Sequence, residues 1–372
     1  MRIGLLSPSI YMSLTKYRDM IFAPRDLVVS LADGLVAHGH DVTLFAAPDT
    51  KTKAHLVGGD IGLLQNDYIE EKMKNASSER LKWSSFYSLK RNYEIDITEC
   101  CYRMAKEGKL DIIHSYHDTM AHFFDDLTGF PTIYTLHDPL PTQQMSLAYW
   151  LLDKFSKHRY VSISNAFRRN QSLALNFVAT VYHGLDVQRY TPSFTRGSYL
   201  SVMGRLAPEK GIDVAIRAAD KAGVPICVAT SAMEENKDLP YYVEVIEPLT
   251  HKTNISFVGF MNGESKSEFF GKSQCLLFPI QWEEPFGMVM IEAMACGTPV
   301  IAYNRGSVSE IVKDGVTGFI VEPERGIAGL VEAINRIGEI DRAACRRHVE
   351  EHFTIEKMVE GYERVYRKVL GV

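Results

Sequence analysis

The sequence is poor in cysteine, close to balanced in charge, and opens on only a short apolar run. Its six cysteines lie at 100, 101, 227, 275, 296 and 345, and the only close pair is adjacent, which excludes a CxxC redox site and a zinc pattern. Free thiols in a reducing compartment follow. The first apolar run, Ile3 to Leu6, is too short for a signal-peptide core and far too short to span a bilayer, so a cytoplasmic protein is expected. With 41 basic and 46 acidic side chains the formal net charge is −5, which gives no overall field for holding a nucleic-acid backbone. No short tandem repeat of the solenoid kind is visible, and no Asp-x-Asp metal motif ends an apolar strand.

What is present is length and alternation. A chain of 372 residues, 46% apolar and 23% charged, exceeds one core and suggests about two domains of roughly 150 residues each. In the first half, short β-branched runs alternate with amphipathic stretches, as parallel βαβ units require. Strands are expected at Ile3–Ser7, Val42–Ala46, Ile112–Ser115, Thr132–Leu136, Tyr160–Ser164 and Thr180–Tyr182. Leu27, Leu31 and Leu35, with Val28 and Val36, recur at helical spacing until Gly39-His40 ends the segment. From about 66 to 95 the chain turns polar and then aromatic around Trp83, Phe86 and Tyr87, and an irregular excursion is expected.

The Gly-, Pro- and Ser-containing stretch from Gly184 to Ser198 suits a linker. Strand patterns then restart at Tyr199–Met203, Ile226–Ala229, Ile255–Val258, Cys275–Pro279, Pro299–Ala302 and Phe319–Val321. The expectation is an α/β chain of two doubly wound, Rossmann-like domains facing across a cleft: 1–188, then 189–354, with a terminal segment 355–372.

Chemistry concentrates where two of these strands end. Trp282-Glu283-Glu284-Pro285-Phe286-Gly287 leads into an apolar helical stretch, Met288 to Ala295, stopped by Gly297 and Pro299. A helix N-terminus beyond a strand's carboxyl end favours anions, and open α/β sheets bind ligands at such ends. Glu284 and Glu292 flank that helix entry, the second read as about two turns inside; one carboxylate suits sugar hydroxyls and the other ribose hydroxyls. The bland reading is a dipole-satisfying acid and a solvated helix residue. The second cluster is Gly204-Arg205-Leu206-Ala207-Pro208-Glu209-Lys210-Gly211, whose two cations can converge on a diphosphate, Arg205 as a planar fork and Lys210 as a point charge.

These two segments, with Arg305-Gly306-Ser307 and Asp314-Gly315-Val316-Thr317-Gly318-Phe319, resemble the family 4 retaining glycosyltransferases. The resemblance implies the GT-B fold and sugar transfer with retention from a nucleotide diphosphate sugar to a hydroxyl acceptor, without a metal or other cofactor. By the same resemblance Arg205 and Lys210 bind the donor diphosphate, Glu284 contacts the donor sugar and Glu292 holds the ribose. The amides of Phe286, Gly287 and Met288 meet sugar or phosphate, and Val258 and Gly259, in Phe257-Val258-Gly259-Phe260, fall where the family frames the base. The terminal stretch from Phe353 to Leu370 resembles the last helix, which crosses back to the N-terminal domain.

The N-terminal half departs from the family pattern. Paired glycines common in the first loop are replaced by Lys16-Tyr17-Arg18-Asp19-Met20-Ile21-Phe22-Ala23-Pro24-Arg25, where Arg18 and Arg25 are read as surface or helix-entry residues with phosphate contact as the alternative. In His114-Ser115-Tyr116-His117-Asp118, Tyr116 falls at the second of two family histidines and His117 one position later. His117 and His137 are both candidates for the reaction centre, each also readable as a hydrogen-bonded strand-end histidine. The aromatic and basic run from Tyr149 to Tyr160 is read as a helix on the sheet, with peripheral membrane contact as the alternative. The acceptor is left open among a sugar, a lipid-linked compound and a small molecule. A GT-B epimerase and a non-catalytic nucleotide-sugar-binding protein are the rival readings.

Overall fold

The computed structural model describes residues 1–15, 23–60, 62, 71, 75, 78–116, 119–169, 173–230, 240–250, 254–259, 261 and 263–372. Chain contacts group them into two compact units. One comprises Met1–Ile163, Gln171–Val181 and Met358–Val372; the other comprises Ser164–Asn170 and Tyr182–Lys357.

The first unit holds a seven-stranded sheet of β1 (Arg2–Leu6), β2 (Asp41–Ala46), β3 (His55–Gly58), β4 (Ile112–Ser115), β5 (Thr132–Thr135), β6 (Arg159–Ser162) and β7 (Phe177–Thr180), in the order β3-β2-β1-β4-β5-β6-β7. Every neighbouring pair is parallel. The second unit repeats the plan with β8 (Tyr199–Met203), β9 (Ile226–Ala229), β10 (Ile255–Phe257), β11 (Ser273–Phe278), β12 (Val300–Tyr303) and β13 (Gly318–Val321), in the order β10-β9-β8-β11-β12-β13. It too is all parallel. Both orders are doubly wound, reversing direction once, between β1 and β4 and between β8 and β11. Sheets covered on both faces bury central strands completely, and β4, β5 and β12 carry no exposed residue.

Two edge strands were not anticipated in place. β3 is absent from the expected set and β7 ends at Thr180, where a strand was expected to begin; both are four-residue strands at sheet edges and only partly buried. The irregular stretch expected from about 66 to 95 is corrected over its second half, while most of 66–77 lies outside the described residues. From Glu79 to Lys106 the chain is one helix, in which Leu89, Tyr93, Ile97 and Cys101 recur every four residues and are buried.

The helix Ile355–Leu370 starts among residues of the second unit and joins the first from Met358 onward. Its hold on the first unit is polar as well as apolar. Tyr366 shares a hydrogen bond of 2.8 Å with His114 Nδ1, Tyr362 lies 3.1 Å from Thr135 Oγ1, and Glu363 reaches His40 Nε2 at 2.6 Å. A Cβ on Gly361 would sit 2.8 Å from Val181, so the helix approaches β7's exit closely.

In the second unit, Glu310 explains why the short helix Asn165–Arg169 belongs there. Its carboxylate accepts from the amides of Asn165 (2.8 Å) and Ala166 (2.6 Å) and from the Tyr182 hydroxyl (2.7 Å), satisfying the helix's open N-terminus.

Candidate active site

The strand order of the second unit turns at β8 and β11, so the loops leaving these two strands share one rim. Their backbones interlock. The Gln281 amide donates to the Glu209 carbonyl at 2.8 Å, and Gly211, at φ +64°, lies so close that a Cβ would stand 2.1 Å from the Pro279 carbonyl oxygen. A third loop, leaving β12, closes on the same rim. The Gly306 amide donates to Glu283 Oε2 (2.7 Å), the Ser307 amide to the Glu284 carbonyl (3.0 Å) and the Ser307 hydroxyl to the Phe286 carbonyl (2.7 Å).

This frame brings Lys210 and Glu284 together. Lys210 Nζ lies 2.8 Å from Glu284 Oε2, both side chains being more than four-fifths shielded. Trp282 Nε1 donates to the same oxygen at 2.9 Å, and the ammonium stands 4.7 Å above the Trp282 ring. Arg205 is not drawn in with them. It is 60% exposed and, among the described residues, pairs only with Glu209, at 3.4 Å.

Beyond Glu284, Pro285 and Phe286 are buried and Gly287 takes φ +80° before the helix Met288–Ala295. Phe286 packs edge-on against His183 at 4.9 Å, which anchors the turn. The amides of Phe286, Gly287 and Met288 meet no protein acceptor among the described residues. With helix entry at Met288, Glu292 lies about one turn inside rather than two. Its Oε1 accepts from Lys266 Nζ at 2.7 Å and from the Tyr190 hydroxyl at 3.2 Å. Val258 is exposed at the end of β10 and Gly259 follows at φ +71° with open space where a Cβ would be.

In the first unit the corresponding rim lies beyond β1, β4 and β5. His137 follows β5 and stacks on Tyr116 with ring centroids 5.0 Å apart; burial pushes its pKa down to about 4. His114, fully buried in β4, is held by Tyr366 and by Thr135 at 2.7 Å, and burial keeps it well below the ordinary histidine range. Both imidazoles are therefore neutral near pH 7. Arg25 turns its guanidinium onto the Tyr11 carbonyl. His117, Asp118, Phe260 and the loop 16–22 with Arg18 lie outside the described residues.

Three site residues escaped sequence reasoning: Trp282, Lys266 and Tyr190. Trp282 lies inside the motif but has no charge or spacing that marks a role, Lys266 sits on a weakly patterned helix, and Tyr190 falls in the linker-like stretch Gly184–Ser198. No local signal marks the last two, since Tyr190 meets Glu292 across 102 positions and Lys266 meets it across 26. Among the described residues no group of three His, Cys, Asp or Glu is placed to hold a metal ion, and no helix is long and apolar enough to cross a membrane.

Two doubly wound units, one with a cation and a carboxylate at its switch point, define the architecture of a GT-B glycosyltransferase. The family described as Glycosyl transferases group 1 matches residues 190–351, and Glycosyltransferase Family 4 matches residues 27–189. The chain belongs to the family 4 glycosyltransferases.

It is 26% identical to D-inositol 3-phosphate glycosyltransferase of Rhodococcus erythropolis over 305 residues, covering 70% of this chain and 68% of that protein. Alignments to three curated relatives span 56%, 68% and 80% of the relatives' own lengths. Among solved structures, sucrose-phosphate synthase from Thermosynechococcus elongatus superposes with a TM-score of 0.71 at 19% identity, covering 100% of this chain and 99% of that one. Anabaena HepE in complex with UDP and glucose gives 0.67 at 19% identity, covering 99% and 100%.

Proposed function

We propose that this glycosyltransferase transfers a hexose, with retention and without a metal, from a nucleotide diphosphate sugar to a hydroxyl acceptor. The observation that carries the reading is the meeting of Lys210 and Glu284 at the β8–β11 rim, beside the open amides of residues 286–288. A diphosphate takes Lys210 and the amides, and Arg205, exposed on the same loop, swings from Glu209 to join them. As the bond to the sugar breaks, charge grows on the departing diphosphate where these cations stand. Glu284 orients the sugar through its hydroxyls, and Glu292 accepts from the ribose. Val258 and Gly259 border the base.

In the front-face scheme, the leaving phosphate oxygen takes the acceptor's proton, so no protein base is required. His137, neutral at working pH, is assigned to the acceptor side as a hydrogen-bonding group rather than a cation, and His117 shares that assignment. The complexes of HepE with UDP, glucose and UDP-glucose support a nucleotide-sugar donor, and the inositol phosphate enzyme supports a polyol or sugar hydroxyl as acceptor.

The test is Arg205→Ala combined with Lys210→Ala. Nucleoside diphosphate release from a panel of nucleotide sugars and acceptors is expected to vanish in the double variant, and wild-type turnover there overturns the assignment. Release that needs acceptor separates transfer from epimerisation, which leaves the nucleotide sugar intact. Thermal shift by the same panel identifies the donor, because a ligand that binds only the folded state raises the melting temperature.

A further inference from the structure

Both glutamates of the motif are held by one oxygen only. At Glu284, Lys210 Nζ and Trp282 Nε1 both donate to Oε2, at 2.8 and 2.9 Å. At Glu292, Lys266 Nζ and the Tyr190 hydroxyl both donate to Oε1, at 2.7 and 3.2 Å. In each case a lysine and a ring-borne donor share one carboxylate oxygen, while the second oxygen accepts from none of the described residues.

We infer that Trp282, and Lys266 with Tyr190, are positioning residues that leave Oε1 of Glu284 and Oε2 of Glu292 free to accept from hydroxyls of the donor. The inference rests on the reading of these glutamates as ligand-facing. Its physical basis is the difference between the donors in each pair. A carboxylate turns easily about its terminal torsion, and an ammonium is a point charge with three rotating donors, so a lysine alone does not choose between the two oxygens. An indole N–H has one fixed direction and only donates, whereas the Tyr190 hydroxyl turns about its C–O bond, so at Glu292 the oxygen is held only while Lys266 and Tyr190 both donate to it. With Trp282 on Oε2, rotation of Glu284 is stopped and Oε1 is left facing away from both protein donors. The indole face also seats the Lys210 ammonium, which spends one N–H on Glu284 and keeps two for diphosphate oxygens.

The two clamps act on different parts of the ligand and so differ kinetically. Trp282 acts through the glutamate assigned to the reacting sugar, and its loss falls on kcat. Lys266 acts through the glutamate assigned to the ribose, which does not change during reaction, and its loss falls on donor KM.

The experiment uses the full chain with Trp282→Phe, Glu284→Gln, Lys266→Met and Glu292→Gln, singly and as the doubles Trp282→Phe/Glu284→Gln and Lys266→Met/Glu292→Gln. Trp282→Phe keeps the aromatic face and deletes the N–H. It is expected to lower kcat about ten-fold with donor KM within about three-fold of wild type, and the double with Glu284→Gln is expected to be no slower than Glu284→Gln alone. Lys266→Met is expected to raise donor KM about ten-fold with kcat kept. It should also erase the preference for UDP or GDP over the 2′- and 3′-deoxy forms in a binding assay, with no further loss in the double with Glu292→Gln. Lys266 is only partly buried, 22% exposed, and lies apart from Trp282 at the other glutamate, which keeps this arm informative should Trp282→Phe fold poorly. Wild-type kcat in folded Trp282→Phe, or losses that multiply in the doubles, overturns the positioning roles while leaving the function intact. Full activity of Glu284→Gln overturns the parent reading and this inference with it.

Discussion

Gly306 lies so close to Glu284 that a Cβ on it would stand 2.3 Å from the Glu284 carbonyl oxygen and 2.4 Å from its amide nitrogen. Its φ of +57° adds a cost of about 1–2 kcal/mol for any other residue. Since both obstructing atoms are backbone, the Glu284 loop itself must shift. Gly306→Ala is therefore expected to lower turnover by about 100-fold, the penalty of a site displaced by roughly 1 Å. Circular dichroism should remain that of the native fold. Unimpaired turnover in this variant would show that the two loops are not rigidly coupled.

The Lys210–Glu284 contact predicts a second effect. Lys210→Met keeps an apolar stem over Trp282 but removes the cation that sits on Glu284. Turnover is expected to fall by about 100-fold or more, the usual cost of deleting one charge-stabilising donor. Lys210→Arg should recover little of it, because a planar guanidinium does not fit the seat of a compact ammonium over the indole. Steady-state release of nucleoside diphosphate measures both. Full activity in the methionine variant would remove Lys210 from the mechanism.

Stability should depend on pH through buried groups of the first unit. His137, with its pKa pushed down to about 4, refuses a proton that the unfolded chain binds near 6.5, so stability falls as pH drops between those values, by up to about 3 kcal/mol. His114 acts in the same direction. Asp125 opposes them. Burial raises its carboxyl to about 6, so the folded state takes up a proton before the unfolded one, and stability is gained as pH falls from about 6 toward 4. Urea unfolding from pH 7 to 4 should show a loss of stability that is steeper below pH 6 in Asp125→Asn than in wild type, and shallower in His137→Gln. Parallel curves for all three would remove these groups from the pH response.

Legibility in the sequence followed burial. Thr132–Thr135 and Val300–Tyr303 were readable because both faces are covered and their residues are β-branched, aromatic or otherwise apolar, whereas His55–Gly58 is a half-exposed edge with only two apolar residues, and at the edge strand Phe177–Thr180 the apolar pattern runs on through Val181 and Tyr182, which blurs where the strand lies. The helix Glu79–Lys106 was hidden because its first ten residues mix charged, serine and aromatic side chains, and the four-residue recurrence of Leu89, Tyr93, Ile97 and Cys101 comes after them. At the site, Lys210 and Glu284 were readable because each stands in a dense local motif at a strand's end. Tyr190 and Lys266 were not, because their meeting with Glu292 is made by the sheet's topology and not by neighbours in sequence.

Glu310 gives the last prediction. Its carboxylate holds two amides, the Tyr182 hydroxyl and, at 3.3 Å, Arg169, while remaining about nine-tenths shielded. Charge-assisted bonds of this kind contribute about 1.5–3 kcal/mol each when a partner is lost, and they do not add fully because they share one carboxylate. Glu310→Ala should therefore cost about 3 kcal/mol and should free the helix Asn165–Arg169 before the rest of the unit unfolds. Glu310→Gln keeps an acceptor oxygen but offers an amide group to the second backbone N–H, so it should recover only part of the loss. Hydrogen exchange at Asn165 and Ala166 reads this directly: their amides should exchange far faster in Glu310→Ala while Leu276 and Ile301, in the buried strands β11 and β12, stay protected. Equal protection of Asn165 in variant and wild type would mean that Ser164, whose hydroxyl donates to the Pro285 carbonyl at 2.7 Å, holds the segment without Glu310.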